Sequence, residues 1–159
     1  DPVMVAKSGD TLLQRSACDA LLQQLLPLAE IVTPNVPEAA ILAEQAIETL
    51  EDLQEAARRI HAHGVRYVLM KGGHLETADA IDYLFDGDQM IELPGPRIAT
   101  KNTHGTGCTY SAAIVAYLSR GLSVPEAVRQ GKDYVTEAIR QSLDLGQGHG
   151  PLKHYWPVG

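Results

Sequence analysis

The stretch His63-Gly64-Val65-Arg66-Tyr67-Val68-Leu69-Met70-Lys71-Gly72-Gly73 decides the fold class. Residues 65–70 are mostly apolar and stop at a double glycine, the pattern of a strand buried on both faces. Just before it, residues 51–63 place Leu53, Ala56, Ala57 and Ile60 at helical spacing, and Gly64 stands where a left-handed cap belongs. A helix that hands over through one glycine to such a strand is the unit from which α/β layers are built.

Towards the N-terminus, Leu12, Leu13, Ala17, Leu21, Leu22, Leu25 and Leu26 recur at three and four, which predicts a helix over residues 10–26 ending at Pro27. Cys18 lies on it as a small core or boundary residue. Residues 31–33 form a short β-branched run stopped by Pro34, and Pro37 with Glu38 opens a helix through Ile47. Towards the C-terminus, residues 80–85 and 89–93 flank Asp86-Gly87, a hairpin signal. An Ala-rich helix follows over 109–119, ending before Gly121, and Ser123, Pro125 and Glu126 start a last helix to about Leu143. The order helix, strand, helix, helix, strand, hairpin, helix, helix predicts an α/β fold with a mainly parallel sheet and an antiparallel edge hairpin. Residues 146–151 read as a C-terminal loop.

Composition narrows the function classes. The 159 residues carry 13 Lys plus Arg against 20 Asp plus Glu, a formal net charge of −7, so there is no basic footprint for gripping nucleic acid. The longest apolar runs fall far short of the ~20 residues of a membrane-spanning helix, and no charged-then-apolar leader opens the chain, which predicts a cytoplasmic protein. Cys18 and Cys108 belong to no Cys/His ligand spacing, which argues against structural zinc. The chain opens Asp1-Pro2-Val3-Met4 without an initiator Met, like the end of a strand whose beginning lies outside it, and a fragment is expected.

The chemistry concentrates in Asn102-Thr103-His104-Gly105-Thr106-Gly107-Cys108-Thr109. Two glycines before a helix let backbone N–H groups converge on one anion, and the helix dipole adds about half a positive charge there. The same helix start favours the thiolate of Cys108 as base or nucleophile. A second reading stays open on spacing alone: Gly105 and Gly107 make a tight loop and Cys108 is a buried first-turn residue. The stretch is neither a Walker P-loop nor the dinucleotide fingerprint, whose third glycine is Tyr110 here.

Thr103-His104-Gly105-Thr106-Gly107-Cys108-Thr109 resembles the anion-hole motif of the ribokinase-like superfamily, in its hydroxymethylpyrimidine/phosphomethylpyrimidine kinase branch. Residues 1–10, Thr33-Pro34-Asn35-Val36-Pro37-Glu38-Ala39, Lys71-Gly72-Gly73-His74 and Gly148-His149-Gly150-Pro151-Leu152 resemble further segments of that family in the same order. The resemblance implies a three-layer ribokinase-like fold of which residues 1–159 are the C-terminal part of a single kinase domain, the N-terminal half lying outside this sequence. It implies ATP-dependent phosphorylation of 4-amino-5-hydroxymethyl-2-methylpyrimidine and then of its monophosphate in thiamine biosynthesis, with Mg²⁺, in a cytoplasmic homodimer without nucleic-acid or membrane partners.

Residue by residue, the resemblance makes Gly105, Thr106 and Gly107 the catalytic anion hole and Cys108, where the superfamily places an Asp, the base that takes the acceptor's hydroxyl proton. Cys108 could instead only orient the hydroxyl, since phosphoryl transfer depends mostly on positioning and charge stabilisation. Asn35 and Glu38 match an NxxE pattern tied to Mg²⁺ and phosphate. Without the resemblance they read as a helix cap and a first-turn charge. Asp1 would be a second carboxylate near the metal, while Lys71 and Thr103, with Asn35, Gly105 and Gly107, would bind the nucleotide. Lys7 and Ser8 are weaker candidates of the same kind. His61 and His63 read as polar helix-face residues, His104 as loop structure, His149 and His154 as tail residues and Trp156 as a packing anchor. Two rivals remain: a pyridoxal or pyridoxine kinase of the same superfamily, and a catalytically silent nucleotide-binding fragment.

Overall fold

The computed structural model describes residues 1–4, 12–72 and 79–156, and the chain divides into two compact units, Asp1–Pro94 and Gly95–Gly159. The first unit is built on a four-stranded sheet of order β1-β2-β3-β4. Strand β1 (Ile31–Val32) runs parallel to β2 (Tyr67–Met70), with Ile31 opposite Tyr67 and Val32 opposite Val68. Strand β3 (Asp82–Phe85) is antiparallel to β2, Leu69 facing Leu84, and β4 (Met90–Leu93) closes the hairpin. The expected α/β class and edge hairpin are therefore present, around one parallel pair.

Helices α2 (Val36–Leu42) and α3 (Leu50–His61) follow β1 and pack on the sheet. The 3.6-residue stripe of α3 puts Leu53, Ala56, Ala57 and Ile60 fully inside, in one cluster with Val68, Met70, Tyr83 and Phe85. Burying Leu53 and Ile60 contributes about 1.5–3 kcal/mol each. On the other face of the sheet Leu69 and Leu84 are also fully buried, as the unbroken apolar run predicts. Gly64 takes the left-handed conformation, φ +100°, and its N–H bonds to the His61 carbonyl. Gly87 turns the hairpin at φ +100°, with the Asp86 Oδ1 accepting from the amides of Asp88 and Gln89.

Several boundaries differ from the sequence expectation, most of all in the first two helices. The first helix does not begin at residue 10: α1 spans Arg15–Ala20, because the Leu12 N–H donates to the Met4 carbonyl at 2.8 Å and so is committed outside the helix. It continues as a π-turn at Leu21–Leu25 and a 3₁₀ turn at Leu26–Leu28 that contains Pro27, which is tolerated in a first turn where its missing N–H has no partner to lose. Leu12 and Leu25 are consequently exposed, while Leu13, Cys18, Leu21 and Leu22 lean half-buried on the core. Helix α2 stops at Leu42 and not at Ile47. Glu44 adopts φ +51°, its N–H bonds to Ile41 and the Gln45 N–H to Ala40, a Schellman ending without the usual glycine.

In the second unit, α4 (Thr106–Ser119) and α5 (Val124–Arg140) pack on each other. Gly121 at φ +87° ends α4, and Ser123 with Glu126 forms the capping box that starts α5. Tyr110 and Ile114 lie against Gly131, where a Cβ would come within 3.0 Å of Ile114 Cγ1, so the glycine sets the close approach of the helices. The tail returns along α5: the Lys153 N–H bonds to the Ala138 carbonyl, the Tyr134 hydroxyl donates to His154, and Trp156 stacks at 5.8 Å from Tyr134, the packing role expected of it. No described helix is long and apolar enough to cross a membrane.

Candidate functional site

In the first unit, the predicted nucleotide and metal residues gather where β1 and β2 end, the edge of a parallel sheet at which ligands bind in α/β proteins. Beyond β1 the chain passes through Thr33 and Pro34 to Asn35, which pairs with Lys71, the residue after β2, in a parallel bridge. The Lys71 N–H donates to the Pro34 carbonyl at 2.9 Å, fixing the two strand ends to each other. The Lys71 ammonium reaches the Asp1 carboxylate at 2.9 Å, with both side chains about 15 % exposed, and the Thr33 hydroxyl donates to the same Asp1 oxygen at 3.4 Å. Lys71 is thus an ion-paired lysine at the strand end and not a solvated one.

Asn35 and Glu38 meet as a capping box. Asn35 Oδ1 accepts the Glu38 N–H, and Glu38 Oε2 accepts the Asn35 N–H, both at 2.9 Å. Glu38 Oε1 also accepts the Met4 N–H at 3.1 Å, and the side chain is only 3 % exposed. The reading from residue type alone, cap and first-turn charge, is therefore the observed geometry. Each Glu38 oxygen accepts one backbone N–H, and Glu38 and Asp1 are hard oxygen ligands. They suit a cation that retains most of its waters. Among the described residues no cluster of three or more His, Cys, Asp or Glu could enclose a metal directly.

In the second unit, Gly105 is the N-cap of α4 at φ +84°, and the helix begins at Thr106, so Gly107 and Cys108 lie within its first turn and not before it. The Thr103 carbonyl accepts both the Thr106 hydroxyl, at 2.9 Å, and the Thr106 N–H. Gly105 has no side chain to cap the helix, which leaves the amides of Gly107 and Cys108 without an acceptor among the described residues. These are the orphan donors of a helix start, aligned with the positive end of its dipole. Cys108 is exposed, which removes the buried first-turn alternative. It lines a cleft of about 670 Å³ with Gly105, Thr109, Tyr117, Arg120 and His154.

The structure thus brings Asp1, Asn35, Glu38 and Lys71 together in one unit, and Thr103, Gly105, Thr106, Gly107 and Cys108 in the other. Lys7 and Ser8 lie outside the described residues, as do Gly73 and His74. His61 departs from its polar-face reading: its ring meets Phe85 edge-on at 5.3 Å. Sequence reasoning missed Thr33 on Asp1, and Asp82, whose buried Oδ1 accepts the Gly72 N–H at 3.0 Å. An Asp opening an otherwise apolar strand, ten residues after a double glycine, was the available signal.

The mixed sheet with polar side chains at its parallel strand ends and the glycine-capped helix make this an α/β protein, and its likeness to solved pyridoxal kinases gives it the ribokinase-like fold. The chain matches the model of the phosphomethylpyrimidine kinase family over residues 1–153, and it belongs to that family. It is 51% identical over 154 residues to a thiamine biosynthesis bifunctional protein of Geobacter sulfurreducens, covering 97% of this chain and 31% of that protein. It is 49% identical over 158 residues to a hydroxymethylpyrimidine/phosphomethylpyrimidine kinase of Rhizobium meliloti, covering 98% of this chain and 59% of the relative. The ADP complex of Bacillus subtilis pyridoxal kinase superimposes with a TM-score of 0.91 at 42% identity, covering all of this chain and 61% of that one. The chain therefore spans less than two thirds of the length of these relatives.

Proposed function

We propose that the chain is part of a single kinase domain that transfers the γ-phosphoryl group of ATP to the hydroxymethyl group of 4-amino-5-hydroxymethyl-2-methylpyrimidine, and then to the resulting monophosphate, in thiamine biosynthesis. The observation that carries this reading is the start of α4, where amides without an acceptor among the described residues and an exposed Cys108 coincide in a chain about half identical to a hydroxymethylpyrimidine/phosphomethylpyrimidine kinase. The amides of Gly107 and Cys108, with the dipole of α4 behind them, stabilise negative charge on the transferring group. The Cys108 sulfur takes the proton of the attacking hydroxyl. Lys71, held by Asp1, supplies a positive charge for the nucleotide phosphates, with Asn35 bridged to it at the strand end.

Mg²⁺, bound through water to Glu38 and Asp1, would neutralise charge on the ATP oxygens. The reading includes a cytoplasmic homodimer, which sedimentation of the purified chain checks. A pyridoxal kinase is the second reading, favoured by the 42% identity to the Bacillus subtilis enzyme. Parallel incubations with Mg-ATP and either alcohol, read as kcat/KM from mass-spectrometric product curves, decide between them. Sequential mono- and diphosphate of the pyrimidine support the first reading; pyridoxal phosphate alone replaces it with the second.

A further inference from the structure

The tail at residues 148–152 has no part in the chemistry above, yet it is tied to the loop that delivers the start of α4. Asn102 is 6% exposed, and its Oδ1 accepts the Gly150 N–H at 3.1 Å. From the other side the His104 N–H reaches the Gly150 carbonyl at 3.4 Å, and His104 and Pro151 pair as a parallel bridge. His149 Nδ1 donates to the Lys101 carbonyl at 3.0 Å. The tail is itself fixed: the Leu143 N–H bonds to Pro151, the Lys153 N–H to Ala138, and Leu152 is buried. A Cβ on Gly150 would stand 2.3 Å from Asn102 Oδ1 and 2.8 Å from the Leu143 carbonyl, so the approach requires glycine.

What makes this tether consequential is the bareness of the helix start. Gly105 offers no side-chain cap, and a glycine at φ +84° resists displacement less than other residues do. The position of the Gly107 and Cys108 amides then depends on the loop three residues upstream. We propose that Asn102 is a positioning residue for phosphoryl transfer: by holding Gly150 it clamps residues 101–105 to the tail and fixes the first-turn amides of α4 where a phosphoryl oxygen meets them. This rests on the phosphate reading of that helix start.

The test uses the whole chain, with Asn102→Ala removing the acceptor and Asn102→Asp keeping an acceptor oxygen in place. Amide hydrogen exchange is measured at His104 and Thr109, whose N–H groups bond to the Gly150 and Gly105 carbonyls, and at residues 124–140, binding of the non-hydrolysable ATP analogue AMP-PCP by calorimetry, and KM for the pyrimidine alcohol by turnover. Asn102→Ala should speed exchange at His104 and Thr109 and weaken AMP-PCP binding, each by about tenfold or more, with exchange in α5 and the alcohol KM unchanged. Asn102→Asp should stay within about threefold of the parent in both. Unchanged exchange at His104 and Thr109 overturns the tether. Exchange that rises equally through α5 marks a merely structural role and overturns it too. Faster local exchange with unaltered AMP-PCP affinity overturns the phosphate reading and, with it, the positioning role.

Discussion

Glu38 holds two backbone amides with one carboxylate, those of Asn35 and Met4, while almost fully buried. Glu38→Ala would leave both donors without a partner, and the urea unfolding free energy should fall by about 1–3 kcal/mol. Glu38→Gln separates this cap from a metal role: the Mg²⁺ concentration for half-maximal turnover should rise, and an unchanged titration would leave Glu38 a cap alone. Lys71→Ala removes the charge that Asp1 holds in place and should raise the KM for ATP about tenfold with the acceptor KM unchanged. Cys108→Ala should lower turnover by about two to four orders of magnitude, and a loss below about fivefold would refute its role as base. Individual roles of this kind were legible only partly. Asn35 as a helix cap and Glu38 as a first-turn charge were readable from residue type, though not their reciprocal box, whereas the Lys71–Asp1 pair joins residues 70 positions apart and leaves no local signature.

Two helix starts and the hairpin turn are held by carboxylates. Asp52, Asp86 and Glu126 are all more acidic than the ordinary values of 3.8 and 4.5: Asp52 chiefly through the Thr49 hydroxyl, Asp86 through the Gln89 amide, Glu126 through the Ser123 hydroxyl. A carboxyl that is more acidic when folded binds fewer protons in the native than in the unfolded chain at low pH, so its contribution is present above the unfolded value and lost as the pH falls through the folded one. The urea midpoint should therefore drop from pH 6 to pH 3, and Asp52→Asn with Glu126→Gln should flatten that slope. Glycine ends and Ser or Asn starts were readable because each follows from φ or from a single side-chain acceptor. The ends that were misplaced, at Leu42 and at residue 10, are set by a left-handed Glu44 and by the bond from Leu12 to Met4, neither of which residue type foretells. Gly72 belongs to the same scale: a Cβ there would lie 1.9 Å from the Ile81 carbonyl, so Gly72→Ala must move the strand end that carries Lys71.

For the whole molecule, the alternation of residues 51–73 with its neighbours was enough to specify an α/β fold, because buried parallel strands and amphipathic helices have different periods. The two groups of site residues were legible through family motifs more than through physics: a helix cap with glycines says where an anion can sit, not which alcohol attacks. Acceptor choice is a matter of pocket shape, and the chain spans only 59% of the Rhizobium meliloti kinase it resembles. The most direct measurement follows the transferred group itself, with ATP labelled in the γ-phosphoryl group and the hydroxymethylpyrimidine as acceptor. The account predicts label on the hydroxymethyl oxygen of the pyrimidine monophosphate and then in its diphosphate. Label found only in ATP and inorganic phosphate would contradict it.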